Sequence, residues 1–350
     1  MLGFNPKGVT MRNLQSLLVN RREALYKMTG LVSSPIFVSS PIFVSTPVFA
    51  SLIQQAEAET QQDFFPAMDA HTHFYDPTRP EGVPWPSKSD PVLYRKVLPA
   101  EFKKLAMPFN IRSTIVVEAS SWVEDNQWIL DLAKDDKFIA GLVGRLDPAS
   151  DDFVKHWKRF VKNPLFLGIR VNNNELRKGL DNKNYLDNLG AMATDDRQLD
   201  VNGGPEMPAD VAKLAKLLPQ LRIVINHAGN LLIDGKTVPP AWLQGMQDAG
   251  KNKNVFCKVS GLTEGTRKTM VDAPKGVEFY KPVLDSLWNA FGEDRLIFGS
   301  NWPVCVRASS FSTLHKIVND YFLKKGNAPA EKYFLKNALA AYKPPSRGQY

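Results

Sequence analysis

Phe64-Phe65-Pro66-Ala67-Met68-Asp69-Ala70-His71-Thr72-His73 is a short apolar run that ends in two histidines. On a β-strand alternate side chains share a face, so Asp69, His71 and His73 are expected to point the same way. The two imidazoles would then stand about 7 Å apart along the strand. Two imidazoles and a carboxylate on one face can hold a metal or position a water. Only five histidines occur in the chain, and a third, His227, ends another apolar run, Leu221-Arg-Ile-Val-Ile-Asn-His227.

Further runs of this kind follow. Strands are expected over 67–73, 113–119, 138–146, 166–172, 199–203, 221–227, 255–261 and 295–300. Most are near-continuous and β-branched, as in strands buried on both faces. Apolar residues at helical spacing separate them over 123–135, 151–162, 208–218, 278–291 and 309–324. Eight strands alternating with helices predict a single α/β domain, a (β/α)8 TIM barrel. The runner-up, an open doubly wound sheet, is disfavoured because no Gly-x-Gly-x-x-Gly follows an early strand.

In such a barrel the chemistry lies at the C-terminal ends of the strands. Seven of the eight expected ends carry polar or charged residues: His71 and His73, Glu118, Arg145 with Asp147, Arg170, His227, Lys258 with Ser260, and Asn301. Each unpaired buried charge costs several kcal/mol, so a ring of them points to a ligand or catalytic site. Arg170 and Lys258 suit an anionic group or a polarised carbonyl. The competing reading makes them structural, Lys258 paired with Asp69 and Arg170 with Glu118 or Asp147. Trp302 and Trp122 are expected to wall an apolar side of the pocket. The Pro-rich loop 75–91, with Trp85 in its middle, is expected to form part of a lid.

The 350 residues are 43% hydrophobic and 23% charged, which is globular rather than disordered. The net charge of +8 is spread along the chain without a basic block or an aromatic-interleaved stripe. That excludes nucleic acid as the expected partner and leaves an anionic small molecule open. Cys257 and Cys305 form neither a disulfide framework nor a zinc pattern; two buried thiols are expected, with a bridge between them left open. Residues 1–58 read as a separate twin-arginine-type export signal. Arg21-Arg22 precede a charge-free stretch from Met28, and Ala56-Glu57-Ala58 offers a cleavage site. The repeat Ser34-Pro-Ile-Phe-Val-Ser39, Ser40-Pro-Ile-Phe-Val-Ser45 would break a helix at each proline, which argues against a stable membrane span. The expectation is an exported, periplasmic protein; a disordered extension on a cytoplasmic protein is the alternative. The barrel is assigned to 59–343 and a frayed tail to 344–350. Oligomeric state is not legible.

Asp69-Ala-His-Thr-His73, Gly168-Ile-Arg170, Ile225-Asn-His-Ala-Gly-Asn230, Cys257-Lys-Val-Ser-Gly-Leu262 and Arg295-Leu-Ile-Phe-Gly-Ser-Asn-Trp-Pro-Val304 resemble, in this order, the amidohydrolase superfamily. The branch they resemble contains sugar lactonases and 2-pyrone-4,6-dicarboxylate lactonase. The resemblance implies a hydrolase that opens a sugar-acid or small carboxylated lactone by water attack on the ester carbonyl. It implies that His71, His73, His227 and position 301 surround the reacting carbonyl, with an aspartate at 301 as base. Here 301 is asparagine, and an amide cannot accept a proton at neutral pH. The branch more often has Val-Gln-Ala where this chain has Val117-Glu118-Ala119. Glu118 is therefore expected as the relocated base or metal carboxylate, with Asp147 next and Asn301 orienting substrate. A single divalent ion, Zn or Mn, on His71 and His73 with His227 or Glu118 is one expectation, and metal-free hydrolysis is the other. Metal-dependent amide hydrolysis or decarboxylation, a non-catalytic sugar-acid binding protein, and a structural protein with a vestigial site are the alternative readings.

Overall fold

The computed structural model describes residues 64–348; the expected export segment, 1–58, lies outside them. Among the described residues eight strands lie in chain order in one sheet: β1 Ala67–Thr72, β2 Ile111–Val117, β3 Ile139–Gly144, β4 Phe166–Asn172, β5 Gln198–Asn202, β6 Arg222–Ile225, β7 Val255–Val259 and β8 Leu296–Phe298. Each neighbouring pair is parallel. Beyond β8 the chain returns to β1. Thr72 bridges Trp302, the Asn301 amide donates to the His71 carbonyl at 2.9 Å, and the His73 amide to the Trp302 carbonyl at 2.9 Å. These bonds close the sheet into the expected barrel. Every expected strand is present to within two residues at either end.

The helices are α1 Pro99–Ala106, α2 Asp125–Asp135, α3 Phe153–Phe160, α4 Asn173–Gly179, α5 Lys183–Thr194, α6 Met207–Leu217, α7 Pro240–Gly250, α8 Leu262–Gly265, α9 Val277–Phe291, α10 Phe311–Lys325, α11 Asn327–Glu331 and α12 Asn337–Tyr342. The five anticipated ones are α2, α3, α6, α9 and α10; α6, α9 and α10 bury broad apolar faces, and α2 and α3 bury three apolar residues each. Those not anticipated include α5 and α7, whose buried apolar stripes are narrow: Tyr185, Leu189 and Met192 on one, Trp242, Met246 and Ala249 on the other.

Two apolar layers result. The outer one packs strand residues such as Val116, Leu142 and Ile223 against helix residues such as Trp157, Leu214 and Leu287. The inner one fills the barrel with Met68, Ile115, Val117, Val143, Leu167, Val224, Phe256 and Ile297. Ala338, Ala341 and Tyr342 of α12 join this inner layer, and Arg222 at the start of β6 donates to the Ala341 carbonyl at 2.7 Å. The helix thus plugs the end away from the strand C-termini. The tail expected to fray is tied down at Arg347, whose guanidinium donates to the carbonyls of Ala133, Lys134 and Ile139. No helix among the described residues is long and apolar enough to cross a membrane.

Candidate active site

The C-terminal ends of β1 and β6 bring three imidazoles together. Ring centroids of His71 and His73 are 5.0 Å apart, and those of His71 and His227 are 4.3 Å apart. The rings lean toward one another, closer than strand spacing alone predicts. His73 Nδ1 donates to the Val117 carbonyl at 2.9 Å, which leaves the lone pair on Nε2. Burial, and then the Arg170 charge, hold its pKa down to about 3. His227 Nδ1 lies 2.9 Å from Ser260 Oγ, and burial lowers its pKa well below the usual histidine range, as it does for His71. All three rings are therefore neutral near pH 7. His227 sits at φ 52° and Asn301 at φ 60°, left-handed conformations that side chains other than glycine adopt at a cost. Gly261, at φ 69°, allows the approach of His227, because a Cβ there would meet the His227 Cβ at 2.9 Å.

Beneath the imidazoles lies a buried charge network. Lys258 Nζ pairs with Asp200 Oδ2 at 2.7 Å, with neither side chain exposed. Asp200 also accepts from Asn226 Nδ2 and from the Tyr342 hydroxyl, each at 2.9 Å. The structural partner of Lys258 is thus Asp200, not Asp69 as the competing reading had it. Lys258 Nζ is also 3.3 Å from His71 Nδ1. Asp69 does not line the cavity. Its Oδ1 accepts from the amides of His71 at 3.0 Å and Ser300 at 2.9 Å, and burial raises its pKa to about 6.

Above this floor opens a cavity of about 740 Å³, lined among others by His73, His227, Arg170, Glu118, Asn301 and Glu264. Arg170 Nε donates to Glu118 Oε1 at 2.9 Å, and its Nη2 to the Glu118 carbonyl at 2.8 Å. Glu118 Oε2 accepts from the Ser120 amide at 3.0 Å, so both carboxylate oxygens are engaged. Strand alternation does not put Glu118 there: Ile115 and Val117 face the interior while Val116 packs outward. Glu118 reaches the cavity because β2 ends at Val117. Pro84 and Trp85 of the expected lid loop do line the cavity, and the Trp85 ring is 5.9 Å from that of His73.

Other expected residues lie elsewhere. Trp302 is 1% exposed and packs on Phe74 and Phe102 in the outer core. Trp122 is 39% exposed and borders a separate surface groove with Arg79 and Trp128. Neither walls the cavity. Arg145 turns away to a bidentate pair with Glu175, and Asp147, exposed, accepts from the Ala149 amide. Cys257 and Cys305 are free, buried thiols.

Glu264 was not anticipated. It sits on α8, in the loop after β7, and lines the cavity. Its Oε1 accepts from Asn301 Nδ2 at 2.8 Å and its Oε2 from Thr263 Oγ1 at 2.8 Å. Burial raises its pKa above the ordinary glutamate value. The available signal was position: Gly261-Leu-Thr-Glu264 directly follows a strand end, where a barrel gathers its polar groups. Arg267 and Lys268, exposed at the same rim, also line the cavity.

The amidohydrolase family model matches residues 68–343. The chain belongs to the amidohydrolase family. L-fucono-1,5-lactonase of Burkholderia ambifaria is 30% identical over 251 residues, 70% of this chain and 82% of that protein. L-fucono-1,5-lactonase of Burkholderia multivorans is 27% identical over 282 residues, 78% of this chain and 94% of that one. A crystal structure of an amidohydrolase from Burkholderia multivorans with bound zinc superposes with a TM-score of 0.71 at 24% identity, covering 80% of this chain and 99% of that one. Family membership and these relatives make the chain a hydrolytic enzyme.

The donors this amidohydrolase could offer a divalent ion are His71, His73 and His227. Among the described residues no three His, Cys, Asp or Glu side chains are grouped to share one. Glu118 is spent on Arg170, and position 301 carries an amide. His71 Nδ1 lies 3.3 Å from Lys258 Nζ, and His71 Nε2 is buried with no hydrogen-bond partner among the described residues.

Proposed function

We propose that this amidohydrolase opens the ring ester of an anionic sugar acid or a small carboxylated lactone. Water adds to the carbonyl carbon, the ring C–O bond breaks, and the ring oxygen leaves with a proton. The observation that carries the reading is one cavity holding neutral imidazoles, a guanidinium and a carboxyl group together. Imidazoles kept uncharged by burial can orient a water or donate to a carbonyl oxygen without bringing charge of their own. Arg170 engages Glu118 through Nε and Nη2, which leaves further N–H groups for the negative charge that develops on the carbonyl oxygen. In this reading Glu118 positions Arg170, His73 and His227 face the reacting ester, and His71 with Lys258 backs them. Asn301 orients the substrate. The names of the lactonase relatives support the substrate class. Arg267 and Lys268 form no ion pair among the described residues, whereas Arg307 at the same cavity is paired with Asp90. Two uncommitted cations at the mouth suit a substrate bearing a carboxylate.

The test is acid release by the full chain, followed with a pH indicator, over a panel of aldonolactones and dicarboxylate lactones, with and without a chelator. The expected result is turnover of one lactone class, unchanged by the chelator. Silence of the folded protein across the panel overturns the reading, and chelator-sensitive turnover overturns its metal-free form.

A further inference from the structure

Hydrolysis needs a group that takes the proton of the attacking water, and Asn301 cannot. Two carboxylates line the cavity, Glu118 and Glu264. Glu118 has one oxygen on the Arg170 guanidinium and the other on the Ser120 amide. Glu264 has no cationic partner among the described residues. Its oxygens accept hydrogen bonds from neutral groups, Oε1 from Asn301 Nδ2 and Oε2 from Thr263 Oγ1. Asp69 and Asp200 lie below the cavity, held by main-chain amides and by Lys258.

We infer that Glu264 is the proton acceptor of the hydrolytic water and that Asn301 is the arm that holds it in place. The inference rests on the lactonase reading above. Water loses a proton to Glu264 as its oxygen bonds the carbonyl carbon. The tetrahedral adduct then expels the ring oxygen, which receives the proton back from Glu264. No oxidant, metal or second substrate enters the balance. The surroundings suit the task. Burial makes Glu264 a better base than an exposed glutamate, and the nearby Tyr280 hydroxyl and Cys305 thiol have their pKa values pushed up, so both stay neutral. Asn301 Nδ2 lies 2.8 Å from Glu264 Oε1. Its amide also lies against His73. One side chain thus links the proton acceptor to an imidazole that faces the ester. The carboxylate that position 301 lacks stands across a single hydrogen bond.

The experiment measures kcat and KM of the full chain on the lactone it turns over. Glu264→Gln is expected to lower kcat about 100-fold or more, with KM within a few-fold. Glu264→Asp, which keeps the charge and withdraws it by one methylene, is expected to lose about tenfold in kcat with the fold retained. Adding Asn301→Asp to Glu264→Gln returns a carboxylate to the same hydrogen bond and is expected to recover about tenfold of the lost kcat. Near wild-type kcat in Glu264→Gln overturns the assignment while leaving the lactonase reading intact. If that variant fails to fold, an unchanged kcat in Glu264→Asp does the same. A wild type that opens no lactone overturns both.

Discussion

The floor of the cavity and its wall are built on different principles. The floor is strand-borne. Lys258, Asp200 and His71 have no exposed surface, and each is locked by ionic or hydrogen-bonded neighbours from other strands. Much of the wall is loop-borne. Glu264, Arg267, Lys268 and Trp85 follow strand ends or sit in the long loop after β1, and the two rim cations carry no ion pair among the described residues. The contrast separates what the fold requires from what the reaction requires. A change in the floor should disturb stability first. A change in the wall should disturb turnover or substrate affinity and leave stability alone.

The largest expected effect is in the floor. Lys258→Met leaves the Asp200 carboxylate buried without its cation and should cost about 3–5 kcal/mol, read as a lower urea midpoint. Adding Asp200→Asn should recover part of that loss; no recovery would mean that the pair is not the unit that matters. Acid comes next. The folded-state pKa of His73 is about 3, against 6.5 for the free side chain, so the unfolded chain takes up a proton first as pH falls. The neutral ring therefore contributes stability that is full above pH 6.5 and is lost progressively toward pH 3. By pH 5 this one residue should cost about 2 kcal/mol, and His73→Gln should flatten the fall of Tm between pH 7 and 5. Asp69 acts with the opposite sign, since its raised value favours the folded state as pH drops from 6 toward 4. The smallest effect is at the mouth. Arg267→Gln with Lys268→Gln should raise KM about tenfold for an anionic lactone, with kcat and Tm unchanged, and added salt should shrink the difference. An unchanged KM would take these cations out of substrate recognition.

The same contrast explains what could be read from the chain. The barrel was legible because eight apolar, β-branched runs each bury two faces. His71, His73, His227 and Arg170 were legible because a strand end has a defined direction. Identity without direction misled. Trp302 and Trp122 have the same side chain, yet one packs inside on Phe102 and the other stands on a different surface. Glu118 was expected in the cavity as a strand-end acid and arrives there because its strand ends early. Asp200 went unnoticed as the partner of Lys258 because the pairing joins β5 and β7, which lie far apart in sequence. Glu264 is a single acid on a four-residue helix, where no periodicity marks which way a side chain turns.

The most direct test of this division sets Glu264→Gln and Lys258→Met side by side, with Tm and kcat measured on each full chain. The account predicts a wild-type Tm with kcat down about 100-fold in the first, and a much lowered Tm in the second. A Glu264→Gln enzyme with near wild-type turnover, or a Lys258→Met protein as stable as the parent, would contradict it.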